Sequence, residues 1–462
     1  MIRYVSLENF LSHGKITFNF EKSQKEAKRF AAIYGENGSG KTNFIKAMRF
    51  LTESERSFAN LDKIQDLQQA LDSIEDNKSI DFFKSIREHV LLSDFKTLLS
   101  QYRMIDCDKP TKVEYGFNAN GHNGKYVIVF DNSIKEESLY FFTGKQSGNF
   151  FVIKRDEQSI NYHFSTNLFY DSSVAKDYKS LLDKFWGNHT FLSIIKKQIA
   201  EQNKLFIQKN YNNYFIEAID SLFNLCIYIK GNSIIESIMP SSNNSIIQES
   251  ITGRINVNDL PDLIRTEHVL NDILTQSYAD IKKVKYDIKQ NGDNISYELF
   301  VYKMISGDIR KISFKNESSG TCQLLRILPS MLAALNGSTV FIDEADTSIH
   351  DILFKKVLNA IRDKITGQLI ITTHNTMLLE SIPASEAYVI SVDYLGNKEA
   401  ICIDEYGIKK NNNARNMYLR GLFGGVPTLD EIEPSSIIND LNADYSTDSH
   451  NSVDNEEDTD NG

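Results

Sequence analysis

Hydrophobic and polar positions change period several times along the chain. Residues 1–34 read as strands, "IRYVSLENF", "KITFNF" and "RFAAIY". A glycine-rich turn follows over 35–42, then "TNFIKAMRFL" with Phe44, Ile45, Met48 and Leu51 at helical spacing. Residues 53–105 read as polar helix. From Thr111 to Phe164 the period becomes two, with Asn-Gly-type turns between apolar runs, which predicts an antiparallel meander. Residues 176–285 return to helical patterning, broken near "PSSNNS" and at Pro261. Strands resume at "SYELFVYKM" and "IRKISF". A helix to about Leu335, the strand "STVFIDE", a helix around Phe354–Ile365 and the strands "QLIITTH", "AYVISVD" and "EAICIDEY" complete the series. The helical pieces are short and carry no sustained heptads, which argues against a long coiled-coil arm.

Composition changes this picture at one end. The net charge is −11 over 462 residues, yet no Lys or Arg follows Arg420, and the eleven carboxylates beyond it account for the whole imbalance. The body is therefore neutral, not a basic nucleic-acid binder, and the acidity belongs to a tail expected to be disordered from Asn439. No run of ~18 apolar residues predicts a membrane span, and the N-terminus lacks a signal-peptide core. Four scattered cysteines without a C-x-x-C pair fit a reducing cytoplasm and argue against zinc.

Three segments carry candidate chemistry. "GENGSGKT", Gly35 to Thr42, fits G-x-x-x-x-G-K-[ST] between an apolar strand and a helix. Backbone N–H groups of Gly35, Glu36, Asn37, Gly38, Ser39, Gly40 and the helix start at Lys41, Thr42 and Asn43 would cradle phosphates of ATP. Lys41 would reach the β- and γ-phosphates, and Thr42 would give a hydroxyl to Mg²⁺. "TVFIDEAD", Thr339 to Asp346, drives an apolar strand into carboxylates: Asp343 suits Mg²⁺, and Glu344 suits orienting or deprotonating a water. His374 ends "LIITTH", thirty-one residues after Asp343, where a residue sensing the γ-phosphate would stand. Singly, each also reads as structure: a strand–turn–helix corner, a core strand meeting a helix cap, a satisfied histidine. "FKNESSGTCQLL", Phe314 to Leu325, likewise reads as a helix cap whose serine and free N–H groups could hold an anion.

The order of phosphate loop, large insertion, hydroxyl/glycine helix start, acidic strand and histidine resembles the ABC-type ATPase head of SMC-like repair proteins and OLD-family ATPases. By that resemblance "NESSGTCQLL" is similar to the signature motif. Ser318 and Gly320 take its serine and glycine places, and Glu317, Ser319 and Thr321 depart from the transporter form L-S-G-G-Q. The resemblance implies that Ser318, Ser319, Gly320 and Thr321 meet ATP held by another protomer. It also implies that "DEADTSIH" is a D-loop with Asp346 and Ser348 at the dimer interface, followed by His350. "NNNARNMYLRGLFGGVPTLDE" resembles the C-terminal segment of AbiL/RloA-type and PARIS-type phage-defence ATPases, though it also reads as a glycine-rich loop docking on the head. "NHTFLSII" (Asn188–Ile195) and "EESLYF" (Glu136–Phe141) resemble further pieces of those proteins. Gln101 and Gln146 are the candidates for a Q-loop glutamine, and "ENFLSHGK" has no basic residue directly after Asn-Phe.

The expected fold is α/β: an ABC-ATPase head with an antiparallel β lobe and a helical insertion. The expected parts are 1–165 (P-loop and meander), 166–290 (helical insertion), 291–438 (signature, acidic strand and His374) and 439–462 (tail). The resemblance implies a slow, cytoplasmic ATPase whose heads pair on ATP and Mg²⁺. It would act as sensor or regulator in antiphage abortive infection, answering a phage-derived trigger and controlling a separately encoded effector such as a Toprim-type nuclease. The alternative is an SMC-like repair or recombination ATPase with DNA-stimulated hydrolysis.

Overall fold

A computed structural model describes residues 1–60, 95–142, 147–156, 159–166, 168–230, 235–238, 249–408, 412–426 and 433–442. The backbone divides into two units, Met1–Gly425 and Val426–Gly462. In the second, Pro434–Asn442 is a helix, extending past Asn439, where the composition turns to tail.

The first unit holds two seven-stranded sheets. The first sheet is antiparallel throughout and combines the hairpin Ile2–Phe10/His13–Asn19 with the five-stranded meander Thr111–Phe164. Its strands alternate buried and exposed positions, the mark of a sheet with one covered face. In the second sheet five parallel strands run in the order Leu225–Lys230, Thr339–Ile342, Gln368–Thr372, Phe30–Gly35 and Ala387–Val392, with antiparallel strands Ile235–Ile238 and Lys398–Cys402 at the edges. Phe30–Gly35, Thr339–Ile342 and Gln368–Thr372 are buried at every position, as a parallel sheet covered on both faces requires.

The helix Lys41–Arg56 joins the two sheets. Phe44 packs on Phe18 of the antiparallel sheet at 4.4 Å between ring centroids and on Phe341 of the parallel sheet at 5.9 Å. Tyr115 donates its hydroxyl to the Ala47 carbonyl at 2.6 Å. The buried Gln368 amide closes the same seam. It accepts from Ile2 N–H at 2.7 Å and donates to the Ile2 and Lys28 carbonyls, each at 2.8 Å. A smaller antiparallel sheet, Thr252–Asn256, Ile281–Asn291, Asn294–Ile305 and Asp308–Ser313, packs with the helices Leu260–Ser277 and Ser319–Leu335 around its own apolar cluster.

The α/β class and the antiparallel lobe are as expected. Helices Ser172–Phe185, Phe191–Ala200, Lys204–Asn210 and Asn213–Phe223 form the insertion. The helical reading of 176–285 needs correction at Leu225–Lys230, which is a strand of the parallel sheet beside Thr339–Ile342. "LCIYIK" is apolar without alternation because both its faces are covered, so its period resembles a buried helix turn. Thr252–Asn256 and the start of Ile281–Asn291 are likewise strands. The polar stretch 53–105 is helical at Lys41–Arg56 and Phe95–Tyr102. Residues 61–94, Gln146, the loop 240–245 and residues 443–462 lie outside the described residues. Among the described residues no helix is long and apolar enough to cross a membrane.

The two resembling fragments "EESLYF" and "NHTFLSII" meet. Glu137, fully buried on the meander, accepts from the N–H groups of Phe191 (2.6 Å) and Leu192 (3.1 Å) at the start of Phe191–Ala200. It also accepts from Trp186 Nε1 (2.9 Å) and the Tyr126 hydroxyl (2.9 Å). One carboxylate thus fastens the insertion to the β lobe.

Candidate nucleotide-binding site

The strand Phe30–Gly35 lies between parallel neighbours Gln368–Thr372 and Ala387–Val392, so its C-terminal end opens where ligands bind parallel sheets. The turn that follows needs its glycines. Gly38 and Gly40 have φ of 82° and 101°, in the left-handed region. At Gly40 a Cβ would fall on the His13 ring, and at Gly35 it would stand 2.6 Å from Ser39 Oγ. Lys41–Arg56 starts on Gly40 with no side-chain cap. Its first-turn N–H groups are therefore available to an anion, and the helix dipole favours one there.

Lys41 is only 6 % exposed. Its ammonium folds back to the carbonyls of Gly35 (2.8 Å) and Glu36 (2.9 Å). Burial pulls its pKa below the usual lysine value, against the pull of Asp343, Glu344, Asp346 and Glu36. Asp343 follows the strand Thr339–Ile342, 2 % exposed, and accepts from the Thr372 hydroxyl at 2.6 Å. Burial raises its pKa, opposed by hydrogen bonds from Thr372 and Thr42. Thr42 and Asp343 so present a hydroxyl and a carboxylate side by side, the hard oxygen donors that suit Mg²⁺. Glu344 takes a left-handed φ of 46°, held by its N–H bond to Thr372 Oγ1 (2.8 Å) and by Thr347 Oγ1 on Oε2 (3.1 Å). A β-carbon-bearing residue in that region is strained and stays only where neighbours hold it.

His374 follows the strand Gln368–Thr372. Its main-chain N–H points at the Asp346 carboxylate, 3.2 Å from Oδ2. Partial burial, then the Lys41 charge, holds the imidazole below the ordinary histidine pKa. Ser12, Asn37, Gly38, Gly40, Lys41, Thr42, Asn43, Glu344 and His374 line one cleft of about 270 Å³. Gly35, Glu36 and Ser39 shape the loop behind it.

The signature-like residues lie elsewhere. Ser318 caps Ser319–Leu335: Thr321 N–H donates to its Oγ at 3.2 Å, and the two hydroxyls are 2.7 Å apart. Ser318 and Ser319 are exposed, and none of Ser318 to Thr321 lines the cleft. Gly320 is needed for contact, since its Cβ would collide with the Ser348 carbonyl oxygen. Ser348 is exposed with φ 63°, whereas Asp346 is turned inward on His374. Gln101 is exposed on Phe95–Tyr102 and does not line the cleft.

A family profile described as "AAA domain, putative AbiEii toxin, Type IV TA system" matches residues 30–380. The chain belongs to this AAA family. It is accordingly an AAA-type P-loop domain, with the nucleotide-binding character of that family. No curated protein matches the sequence. Among solved structures it is similar to the Smc head bound to the C-winged helix domain of ScpA, at 14 % identity and TM-score 0.41, over 87 % of this chain and 96 % of that one. It is similar to the SMC head domain from Thermotoga maritima at 12 % identity and TM-score 0.36, over 87 % and 98 %. The Smc head with an extended coiled coil bound to the C-terminal domain of ScpA, from Pyrococcus furiosus, gives 14 % and 0.38, over 88 % and 97 %.

In this AAA chain several residues of the site escape a reading by motif. Ser12 lines the cleft, and His13, fully buried, stacks under Gly40 with Nε2 3.2 Å from the Gly40 carbonyl. The stretch Tyr418–Gly425 docks behind the P-loop. Tyr418 packs on Tyr34 at 5.6 Å between ring centroids, donates to the Gly425 carbonyl at 3.0 Å and accepts from the Gly35 N–H. A Cβ on Gly425 would stand 3.0 Å from the Ile390 carbonyl and 3.3 Å from Gly35 Cα. The glycines of "GLFGG" were the available signal, but nothing in them names the surface they approach.

Proposed function

We propose that the chain binds and slowly hydrolyses ATP, that ATP joins two copies head to head, and that this switch regulates an antiphage abortive-infection system through a separately encoded effector, a Toprim-type nuclease. The observation that carries the switch is the division of the site. The cleft gathers Lys41, Thr42, Glu344 and His374, while the cap Ser318–Thr321, exposed at Ser318 and Ser319, stands outside it. A second copy can supply that cap to the γ-phosphate.

In this reading the first-turn N–H groups and Lys41 hold the polyphosphate, and Glu344 takes the proton of the attacking water. Mg²⁺, held by Thr42 and Asp343, would neutralise phosphate charge. His374 is neutral near pH 7 and can accept or donate one hydrogen bond to the γ-phosphate or to the water. Loss of the γ-phosphate removes the ligand shared with the partner's Ser318 cap, and the pair loosens. The defence role is supported by the family description and by the resemblance of Asn411–Glu431 to phage-defence ATPases.

Glu344→Gln should cut turnover by about 10²–10⁴-fold while retaining ATP, and light scattering should show a dimer with ATP and a monomer without it. A dimer that ignores nucleotide would sink the switch. Lys41→Ala should abolish phage protection in cells, and unchanged protection would exclude ATP from the mechanism. Hydrolysis stimulated by DNA would favour the repair-type alternative.

A further inference from the structure

Lys398 opens the edge strand Lys398–Cys402, about 360 residues from the P-loop in sequence, yet its ammonium reaches it. Nζ donates to Ser12 Oγ at 2.7 Å and to the Gly38 carbonyl at 3.2 Å. Both partners line the nucleotide cleft. The Asn43 amide donates to the same Ser12 oxygen at 2.8 Å, so one hydroxyl gathers Lys398 and the first helical turn together.

The two partners of Lys398 are neutral oxygens. Among the described residues no carboxylate lies within ion-pairing distance of it. The side chain is half-buried, and that burial pulls its pKa below the usual lysine value. Its charge reaches the buried His13 beside it, helping to keep that ring neutral. A partly desolvated cation without an anion is a standing cost, and proteins keep such costs where a ligand removes them. An ammonium has three donors, of which two are used.

We propose that Lys398 is a further nucleotide-binding residue, whose third N–H and charge contact the polyphosphate held by Gly35–Thr42. The proposal rests on the ATP reading of the cleft and adds to it a cation from the far end of the chain. It stands opposite in character to Lys41. Lys41 is enclosed by the loop and surrounded by carboxylates, whereas Lys398 touches the loop from outside and has none. As a point charge on a flexible stem it recognises phosphate charge and not the base.

The test titrates full-length protein with a fluorescent ATP analogue and Mg²⁺, using the parent, Lys41→Ala, Lys398→Met, Lys398→Gln and Lys398→Arg. The unfolding temperature of each nucleotide-free protein serves as the fold control. Lys398→Met and Lys398→Gln should bind about tenfold more weakly at low salt. The gap should shrink at high salt, and Lys398→Arg should stay within about threefold of the parent. Inorganic tripolyphosphate, as competitor, should lose affinity by the same factor as ATP. If the neutral variants bind within about twofold of the parent at both salts, the proposal fails. It also fails if Lys398→Arg is as weak as Lys398→Met, because the lysine then only holds the Ser12 turn in place. A parent that binds no ATP, or a Lys41→Ala protein that binds as well as the parent, would instead overturn the ATP reading itself.

Discussion

The helices Lys41–Arg56 and Ser319–Leu335 both begin beside a glycine, for opposite reasons. Gly40 takes a left-handed φ and leaves the first turn without a cap. Gly320 has no such need. It is a glycine because the Ser348 carbonyl presses on it, and its helix is already capped by Ser318. The first start leaves its N–H groups open to an anion and lines a cleft with Lys41, Glu344 and His374. The second is self-satisfied and exposed, so an anion there must displace or join an existing cap. A third start completes the series: Phe191–Ala200 is capped by Thr190 and also meets the carboxyl of Glu137 within the chain, whose pKa burial raises against the hydrogen bonds it accepts. One physical device, a positive helix end, is left open, latent or permanently filled, depending on what the rest of the chain places against it.

Each start can be altered to test that contrast. Disrupting the third is expected to matter most for stability. Glu137→Gln turns one acceptor into a donor facing buried N–H groups, and should cost roughly 3 kcal/mol in chemical denaturation. A change under about 0.5 kcal/mol would mean that the carboxylate is not the clamp.

The open start is next, through His13 under Gly40. Burial, with Lys398 adding to it, pushes its pKa down to about 4, while the unfolded chain takes up that proton near ~6.5. Between those values the unfolded state binds more protons. Stability is therefore complete above the unfolded value and falls as pH falls toward 4, by roughly 3 kcal/mol from this group. Denaturation at pH 7 and pH 4.5 should show the slope reduced in His13→Asn; an unchanged slope would assign the acid loss to other groups.

The latent start should give smaller effects. Gly320→Ala must move the Ser348 carbonyl and should cost about 1–3 kcal/mol. It should weaken ATP-dependent pairing more than ATP binding, read by light scattering against titration. Ser318→Ala removes a cap alone and should cost about 1 kcal/mol. If it abolished ATP binding in a lone head, the cap and the cleft would not be the separate elements described here.

What could be read without coordinates was local. "GENGSGKT" announces its turn because eight adjacent residues hold both the glycines that permit its φ angles and the lysine that closes it. The meander was legible because one covered face imposes a period of two. Ser318 as a helix cap was legible for the same reason, being bonded to a residue three positions on. Leu225–Lys230 was not, since a strand buried on both faces carries no period to distinguish it from a buried helix.

The chain alone thus determined its α/β class, the glycine turn Gly35–Thr42 between strand and helix, and the residues that end the acidic and histidine strands, because each depends on neighbours within one element. Tertiary structure decided which of these share a cleft and which stand apart. It brought Ser12, His13 and Lys398 to the loop, set Tyr418 and Gly425 behind Gly35, and closed the insertion on Glu137. Those contacts join residues tens to hundreds of positions apart. They follow from how sheets and helices pack, and no pattern within either partner specifies the other.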